Sequence, residues 1–294
     1  MAEIPKITEE RKNFPVIQCP AKINLFLYVT GKRPDNYHEL LTLMCPVSLY
    51  DTLFLQFGKS GIRVECSHPE VPEDSGNIAW QAADLFFQQA KLPAGVHIRI
   101  QKKIPVAAGL GGGSSNAAGV LLGLNRYYRM PFSPAGLSEM ALHLGADVPF
   151  FLRQRPALAR GVGEELEILE NLPFFSVLLI SFDFAVSTAY VYKNLNLGLT
   201  KGQKIINDTL FKEYICDVLP YMYNDLETVT AADYPVIHEV KEALKGLGAD
   251  GALMSGSGPT VFGLFRKSGK ARTAYDYFYK KSHLYRPYLA ELLI

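Results

Sequence analysis

Four glycines fall within five positions at 109–113 of the stretch PVAAGLGGGSSNAAGVLLGLN (105–125), and Ser114 and Ser115 follow at once. Glycine inside an element costs roughly 0.5–1 kcal/mol relative to alanine, so such a cluster needs a task. The first amides of a helix have no intrahelical partner and carry partial positive charge. Glycines let that backbone approach a bulky anion with no Cβ in the way. The two serines add hydroxyl donors, and either can reach a metal ion. A phosphate chain is the guest that fits this chemistry; the plainer alternative is a flexible loop with a serine cap.

Familiar phosphate and catalytic patterns fail on single residues. Gly113 is followed by Ser114 rather than lysine, which removes G-x-x-x-x-G-K-[ST]. Position 114 also breaks G-x-G-x-x-G. DFA (183–185) is not D-F-G, no H-R-D occurs, HELLT (38–42) lacks the second histidine of H-E-x-x-H, and no G-x-S-x-G is present.

Other residues bear chemistry more quietly. Lys22 stands in CPAKINLFL among apolar neighbours, where an idle ammonium is costly. Asn24, two positions on, faces the same side of an alternating strand. Asp147 by itself reads as a helix-end or turn aspartate. Asn77 reads as a helix N-cap. Lys102 and Lys103 either flank phosphates or form a solvated pair. SGSGPT (255–260) alone passes as a hairpin turn.

The elements that must position these groups are legible in outline. Strands are expected over 23–30, 53–57, 95–101, 174–182, 251–255 and 260–265. Residues 95–101 alternate Val96, Ile98 and Ile100, then turn at Pro105 into a helix starting near Ser114. A helix over 77–90 presents Ile78, Ala82, Leu85, Phe86 and Ala90 on its apolar face. A helix over 133–144 opens on Ser133 and Pro134 and closes before Gly145, with a strand expected from Phe150. A further helix spans 234–248. Strands that come in pairs as well as singly favour α+β over a strict βαβ repeat. The polar, turn-rich stretch 160–173 suits a domain boundary.

Composition narrows the partners. A chain of 294 residues buries a sizeable core or two, and 48% hydrophobic with 20% charged residues is ordinary for a globular protein. A net charge of +1 offers no broad field for nucleic acid or an anionic membrane. The cysteines Cys19, Cys45, Cys66 and Cys216 are scattered, which fits a reducing cytoplasm rather than a zinc site or disulfide scaffold. The N-terminus has no signal-peptide pattern, and no apolar stretch reaches spanning length.

PVAAGLGGGSSNAA (105–118) resembles the central motif of the GHMP kinases, the family of galactokinase and of homoserine, mevalonate and phosphomevalonate kinases. CPAKINLFLYVTGKRPDNYHELLTLM (19–44), LGADVPFFL (144–152), YNDLE (223–227) and GADGALMSGSGPTVFGLF (248–265) resemble one branch, which acts on a cytidine diphosphate-linked methylerythritol. The resemblance covers most of the chain, and residues 1–15, 196–222 and 266–294 carry little of it. It implies an α+β, two-domain GHMP kinase fold. The N-terminal domain, 1–165, would have ribosomal-protein-S5-like β-α layers; the C-terminal domain, 166–294, would be an α/β sandwich, with the active site in the cleft between them.

The implied reaction is ATP-dependent phosphorylation of the small molecule's 2-hydroxyl, in the non-mevalonate route to isopentenyl diphosphate. ATP and Mg²⁺ are implied, with neither nucleic acid nor membrane as partner and a monomer or weak homodimer as the state. Asp147 becomes the catalytic base and Lys22 its partner. Pro105, Val106, Ala107, Ala108, Gly109, Leu110, Gly111, Gly112, Gly113, Ser114 and Ser115 hold the nucleotide, with Asn77 and Lys102. Asn24, Tyr37, His38, Tyr192, Gly256, Ser257 and Gly258 meet the substrate, Tyr37 and Tyr192 enclosing the base. The resemblance also folds 255–260 against the first glycine loop. Ala107 and Ala108 stand where many relatives carry glycine, and Asn36 replaces a frequent glycine.

Overall fold

The computed structural model of the chain describes residues 7–8, 15–35, 37–58, 60–196 and 217–294; Asn36 and Cys216 lie outside them. The described chain forms two compact units that do not divide at one point of the sequence. One holds 1–21, 50–106 and 111–154; the other holds 22–49, 107–110 and 155–294.

In the first unit β1 (Ile7–Thr8) pairs antiparallel with the start of β2 (Val16–Lys32). The far end of β3 (His38–Phe57) pairs antiparallel with β5 (Gly95–Gln101), and β4 (Gly61–Cys66) runs parallel to β5. Four helices accompany these strands: α1 (Ile78–Ala90), α2 (Gly112–Tyr127), α3 (Pro134–Leu144) and α4 (Val148–Arg153).

Helix α2 lies close to the strands because of its glycines. A Cβ on Gly119 would stand 2.6 Å from Cys19 Sγ, and one on Gly123 would stand 2.7 Å from Ile17 Cδ1. Ser133 caps α3 by accepting from Gly136 N, with Pro134 in the first turn and Gly145 at the end, as its sequence punctuation predicts. Two expectations need correction. Helix α1 buries Ala79, Ala82, Ala83, Phe86 and Phe87, so its core face is rotated from the one that counts Ile78, Leu85 and Ala90. The segment after Asp147 is the helix α4, not a strand from Phe150. A short apolar run such as VPFFL has no periodicity of its own, and its early proline suits a first helical turn.

In the second unit Thr42–Met44 of β3 pair with β6 (Ala157–Arg160), which forms a hairpin with β7 (Glu165–Ile168) across the polar stretch expected as a boundary. A second sheet has the order β11-β8-β10-β9, antiparallel throughout, from β8 (Ser176–Ser181), β9 (Gly251–Met254), β10 (Val261–Phe265) and β11 (Arg286–Glu291). Among the described residues the unit's α-helices are α5 (Thr188–Asn194), α6 (Glu227–Asp233), α7 (Val236–Gly246) and α8 (Ser268–Tyr279). Leu178, Ile180, Ile237, Leu244, Phe265 and Phe278 are central to a core between this sheet and its helices. The architecture is α+β, with one parallel strand pair among the pairings described above.

Candidate active site

The glycine loop alternates its backbone hand. Ala107, Gly109 and Gly111 have φ of 51°, 75° and 69°, whereas Ala108 and Leu110 do not take positive φ. Such alternation turns successive amides toward a common concavity, the nest geometry that suits an anion. Ala107 adopts a left-handed angle at a cost that glycine would avoid. Helix α2 begins at Gly112, two residues before the expected start, and its cap residue Gly111 supplies no side-chain acceptor. The first-turn amides therefore keep their donors for another partner. Ser115 Oγ is buried and makes no hydrogen bond among the described residues. A buried hydroxyl left in this way costs about 1–3 kcal/mol, which a phosphate oxygen or metal ion would relieve.

The turn 255–260 joins β9 to β10 as a hairpin and also meets the first loop, so both readings of it hold. Ser255 Oγ donates to Gly109 O at 3.0 Å, and Thr260 N donates to Ala108 O at 3.4 Å. A Cβ on Gly109 would overlap the Ser255 carbonyl oxygen and lie 3.1 Å from Gly258 N. Close approach thus requires glycine at 109, beyond its backbone angle.

Strand alternation places Lys22 and Asn24 together as expected. Both are buried, and Lys22 Nζ donates to Asn24 Oδ1 at 2.8 Å. Asn24 Nδ2 donates to Thr42 Oγ1 at 2.8 Å, and Thr42 passes its own proton to Phe26 O at 2.6 Å. A Cβ on Gly256 would stand 3.5 Å from Lys22 Nζ and 3.4 Å from Asn24 Oδ1. Lys22, Asn24 and the second loop therefore share one locus. Thr42 was not legible beforehand, since its partner lies 18 residues away on another strand.

The aromatic group forms as a pair with one outlier. The His38 ring stacks on Tyr192 with centroids 5.0 Å apart and planes 23° apart. Tyr37 is 63% exposed, its amide donating to Asp35 Oδ1 at 3.1 Å in the preceding turn. Burial, with help from the Lys32 charge, holds the His38 imidazole below its usual range and so favours the neutral ring. One turn back from Tyr192 on α5, Thr188 Oγ1 and Ser257 Oγ share a hydrogen bond of 2.8 Å.

The remaining candidates divide. Asn77 caps α1, accepting from Ala79 N at 2.9 Å and donating to Pro72 O at 2.6 Å. Asp147 is half-buried at the N-cap position of α4, where its side chain makes no capping bond. Lys102 does not sit in solvent: its side chain is 5% exposed, its ammonium is ion-paired with fully buried Asp51, and it lies 2.7 Å from where a Cβ on Gly112 of the glycine loop would stand. Asp51 also accepts from Lys103 N at 2.7 Å, Ile104 N at 2.9 Å and Asn116 Nδ2 at 3.1 Å. Sequence reasoning missed Asp51; its one signal is a carboxylate amid the strand-like SLYDTLFL. No cluster of three His, Cys, Asp or Glu side chains suited to a metal occurs among the described residues.

Within the second unit, residues 107–110, the second glycine turn that bonds to Gly109 and Ala108, and the buried Lys22, whose amide donates to Leu110 O at 3.0 Å, lie together. The chain belongs to the GHMP kinases: residues 77–155 match the model of their N-terminal domain and residues 213–283 that of their C-terminal domain. It is accordingly an ATP-using kinase. Among those kinases it is similar to 4-diphosphocytidyl-2-C-methyl-D-erythritol kinase of Geobacter sp. (strain M21), with 48% identity over 87% of this chain and 91% of that one. A crystal structure of 4-(cytidine 5'-diphospho)-2C-methyl-D-erythritol kinase superposes with a TM-score of 0.82 at 37% identity, covering 94% of this chain and 98% of that chain. Homoserine kinase from Cytophaga hutchinsonii shares the fold, with a TM-score of 0.68 at 19% identity, 98% of this chain and 97% of that one being covered.

Proposed function

We propose that this kinase moves the γ-phosphoryl group of ATP to the 2-hydroxyl of 4-diphosphocytidyl-2-C-methyl-D-erythritol, releasing the 2-phosphate and ADP in the methylerythritol phosphate route to isopentenyl diphosphate. The observation that carries the reading is helix α5. Its Thr188 end reaches Ser257 of the second glycine loop, and its Tyr192 end stacks on His38. One rigid turn of helix thus spans a shelf for a flat base and a loop suited to phosphoryl oxygens. Tyr37, exposed beside that shelf, is available to cover the base from its other face.

Phosphoryl transfer asks little covalent chemistry of the protein; positioning and charge stabilisation dominate. In this reading residues 105–115 cradle the triphosphate through their backbone amides, with Asn77 and Lys102 near the nucleotide. Asp147 receives the proton of the 2-hydroxyl. Lys22 keeps that carboxylate ionised and neutralises charge on the γ-phosphoryl oxygens. Asn24, Gly256, Ser257 and Gly258 meet the acceptor. Ser115 fits Mg²⁺, an ion that takes few protein ligands and completes its shell with phosphate oxygens and water; bound there, it would neutralise charge between the β- and γ-phosphates. The proposal also takes 1–165 and 166–294 as the two domains, a cytoplasmic location in keeping with free buried Cys19 and Cys45, and a monomer or weak homodimer.

The test is ADP release with ATP, Mg²⁺ and, in separate reactions, the cytidyl substrate, mevalonate or homoserine. Turnover confined to the cytidyl substrate is expected. Turnover with mevalonate or homoserine alone would refute the assignment.

A further inference from the structure

The second glycine loop is held from behind by three side chains spaced three residues apart, Asn224, Glu227 and Thr230. Asn224 Nδ2 donates to Met254 O at 2.9 Å and to Gly256 O at 2.8 Å, while its Oδ1 accepts from Leu226 N at 3.0 Å. Glu227 accepts from Met254 N at 2.8 Å and is ion-paired with Lys241. Thr230 Oγ1 lies 3.1 Å from Ser257 O, closer than the 3.4 Å to Leu226 O in its own helix, so its single proton is best directed to the loop. Gly258 N donates to Ser255 O at 2.9 Å. The carbonyls of 254 to 257 are therefore all engaged. The amides of Gly256 and Ser257 donate to nothing among the described residues.

A trans peptide unit is rigid, with C=O and the following N–H pointing opposite ways. Fixing Gly256 O on Asn224 therefore aims the Ser257 N–H away from Asn224. Fixing Ser257 O on Thr230 aims the Gly258 N–H into the turn, where it binds Ser255 O. That bond in turn sets the plane carrying the Gly256 N–H. The Lys22 ammonium, 3.5 Å from the Gly256 Cβ position, lies at the same loop.

We infer that Asn224 and Thr230 are positioning residues for phosphoryl transfer: by holding the loop's carbonyls they present the Gly256 and Ser257 amides, with Lys22, to the oxygens of the migrating phosphoryl group. The inference rests on the reaction proposed above. Donors aimed at developing charge act on kcat more than on ground-state binding. A purely structural role would instead lower stability and leave kcat alone.

The experiment compares Thr230→Val, which keeps shape and removes the proton, with Thr230→Ser, which keeps it, and adds Asn224→Asp, which sets a carboxylate against two carbonyls. Steady-state kinetics and thermal melting are recorded for each. Thr230→Val should lower kcat about tenfold, given that direct loss of one such donor costs about 10²–10³. KM for ATP and for the acceptor should stay within about twofold, and Thr230→Ser should restore kcat. Asn224→Asp should lower kcat further; if it does not fold, the threonine pair decides. An unchanged kcat in Thr230→Val, or an equal loss in Thr230→Ser, overturns the inference. Wild-type protein that turns over a different alcohol refutes the substrate assignment alone, and the same comparison is then made with that alcohol. Wild-type protein that turns over none overturns both.

Discussion

A lysine 5% exposed among apolar neighbours survives there because something needs its charge. With Asn24 holding one side of the ammonium at 2.8 Å, Lys22 would have few orientations to lose on meeting phosphoryl oxygens in the proposed reaction. If Asp147 is the base, Asp147→Asn keeps volume and removes only proton acceptance. We expect kcat to fall by about 10²–10⁴ with KM for ATP within about twofold; steady-state kinetics decides, and activity near wild-type would free Asp147 from the role. Asp51 belongs to a different case. Its carboxylate gathers the Lys102 ammonium, two backbone amides and the Asn116 amide. Asp51→Asn leaves the ammonium buried without a counter-charge and should cost about 3–5 kcal/mol of stability. Lys102→Met spares the other three donors and should cost less. Chemical denaturation of both variants gives the answer, and an Asp51→Asn loss under about 1 kcal/mol would show the pair to be dispensable. Lys22 and Asn24 were legible because alternation links neighbours on one strand. Asp51 and Thr42 were not, since their partners stand 51 and 18 residues away.

Elements were legible where they carry their own punctuation. Ser133, Pro134 and Gly145 bound α3 where expected, and Asn77 caps α1. The errors came where tertiary packing decides. The core face of α1 turned on which side met its neighbours, and alanines at 79 and 83 carry too weak a hydrophobic signal to mark it. VPFFL carries no period, and became α4. Gly119 and Gly123 in α2 set how closely the helix approaches β2 and β3. In Gly123→Val the gain in helix propensity is at most about 0.5 kcal/mol. Overpacking against Ile17 and Leu55 costs about 1–3 kcal/mol. The second effect wins, so the variant should melt earlier than wild-type; an unchanged or raised Tm would mean that the strands yield freely.

For the molecule as a whole, the stretch 266–294, which carries little of the motif resemblance, builds α8 and β11, the latter paired with β8 over six residue pairs. Local pattern cannot show that 22–49 and 107–110 belong with residues beyond 155, because that membership arises from contacts distant in sequence. Net charge is also a whole-molecule property. At +1, global self-repulsion is small near neutral pH, so the pH dependence of stability comes from individual buried groups. Asp225 is one of them. Its Oδ2 accepts from Val29 N at 2.7 Å, and burial, against the help of that bond and of the Tyr223 hydroxyl, raises its carboxyl above the ordinary 3.8. Tyr28 also faces the carboxylate and is raised by burial and by that charge, so it titrates far above the range concerned. Between 3.8 and the raised value the folded protein binds more protons than the unfolded chain. Stability from this group is therefore lost as pH rises through that window, and the penalty is complete above it. Asp225→Asn keeps an acceptor for Val29 N–H and does not titrate. Any fixed cost of the substitution is the same at every pH. The stability of the variant relative to wild-type should thus climb as pH rises from the ordinary carboxyl value and level off above the raised one. Urea denaturation of both proteins across that range tests it: a flat difference would mean that Asp225 ionises in the fold as readily as in water, and a difference that falls as pH rises would mean that it ionises more readily.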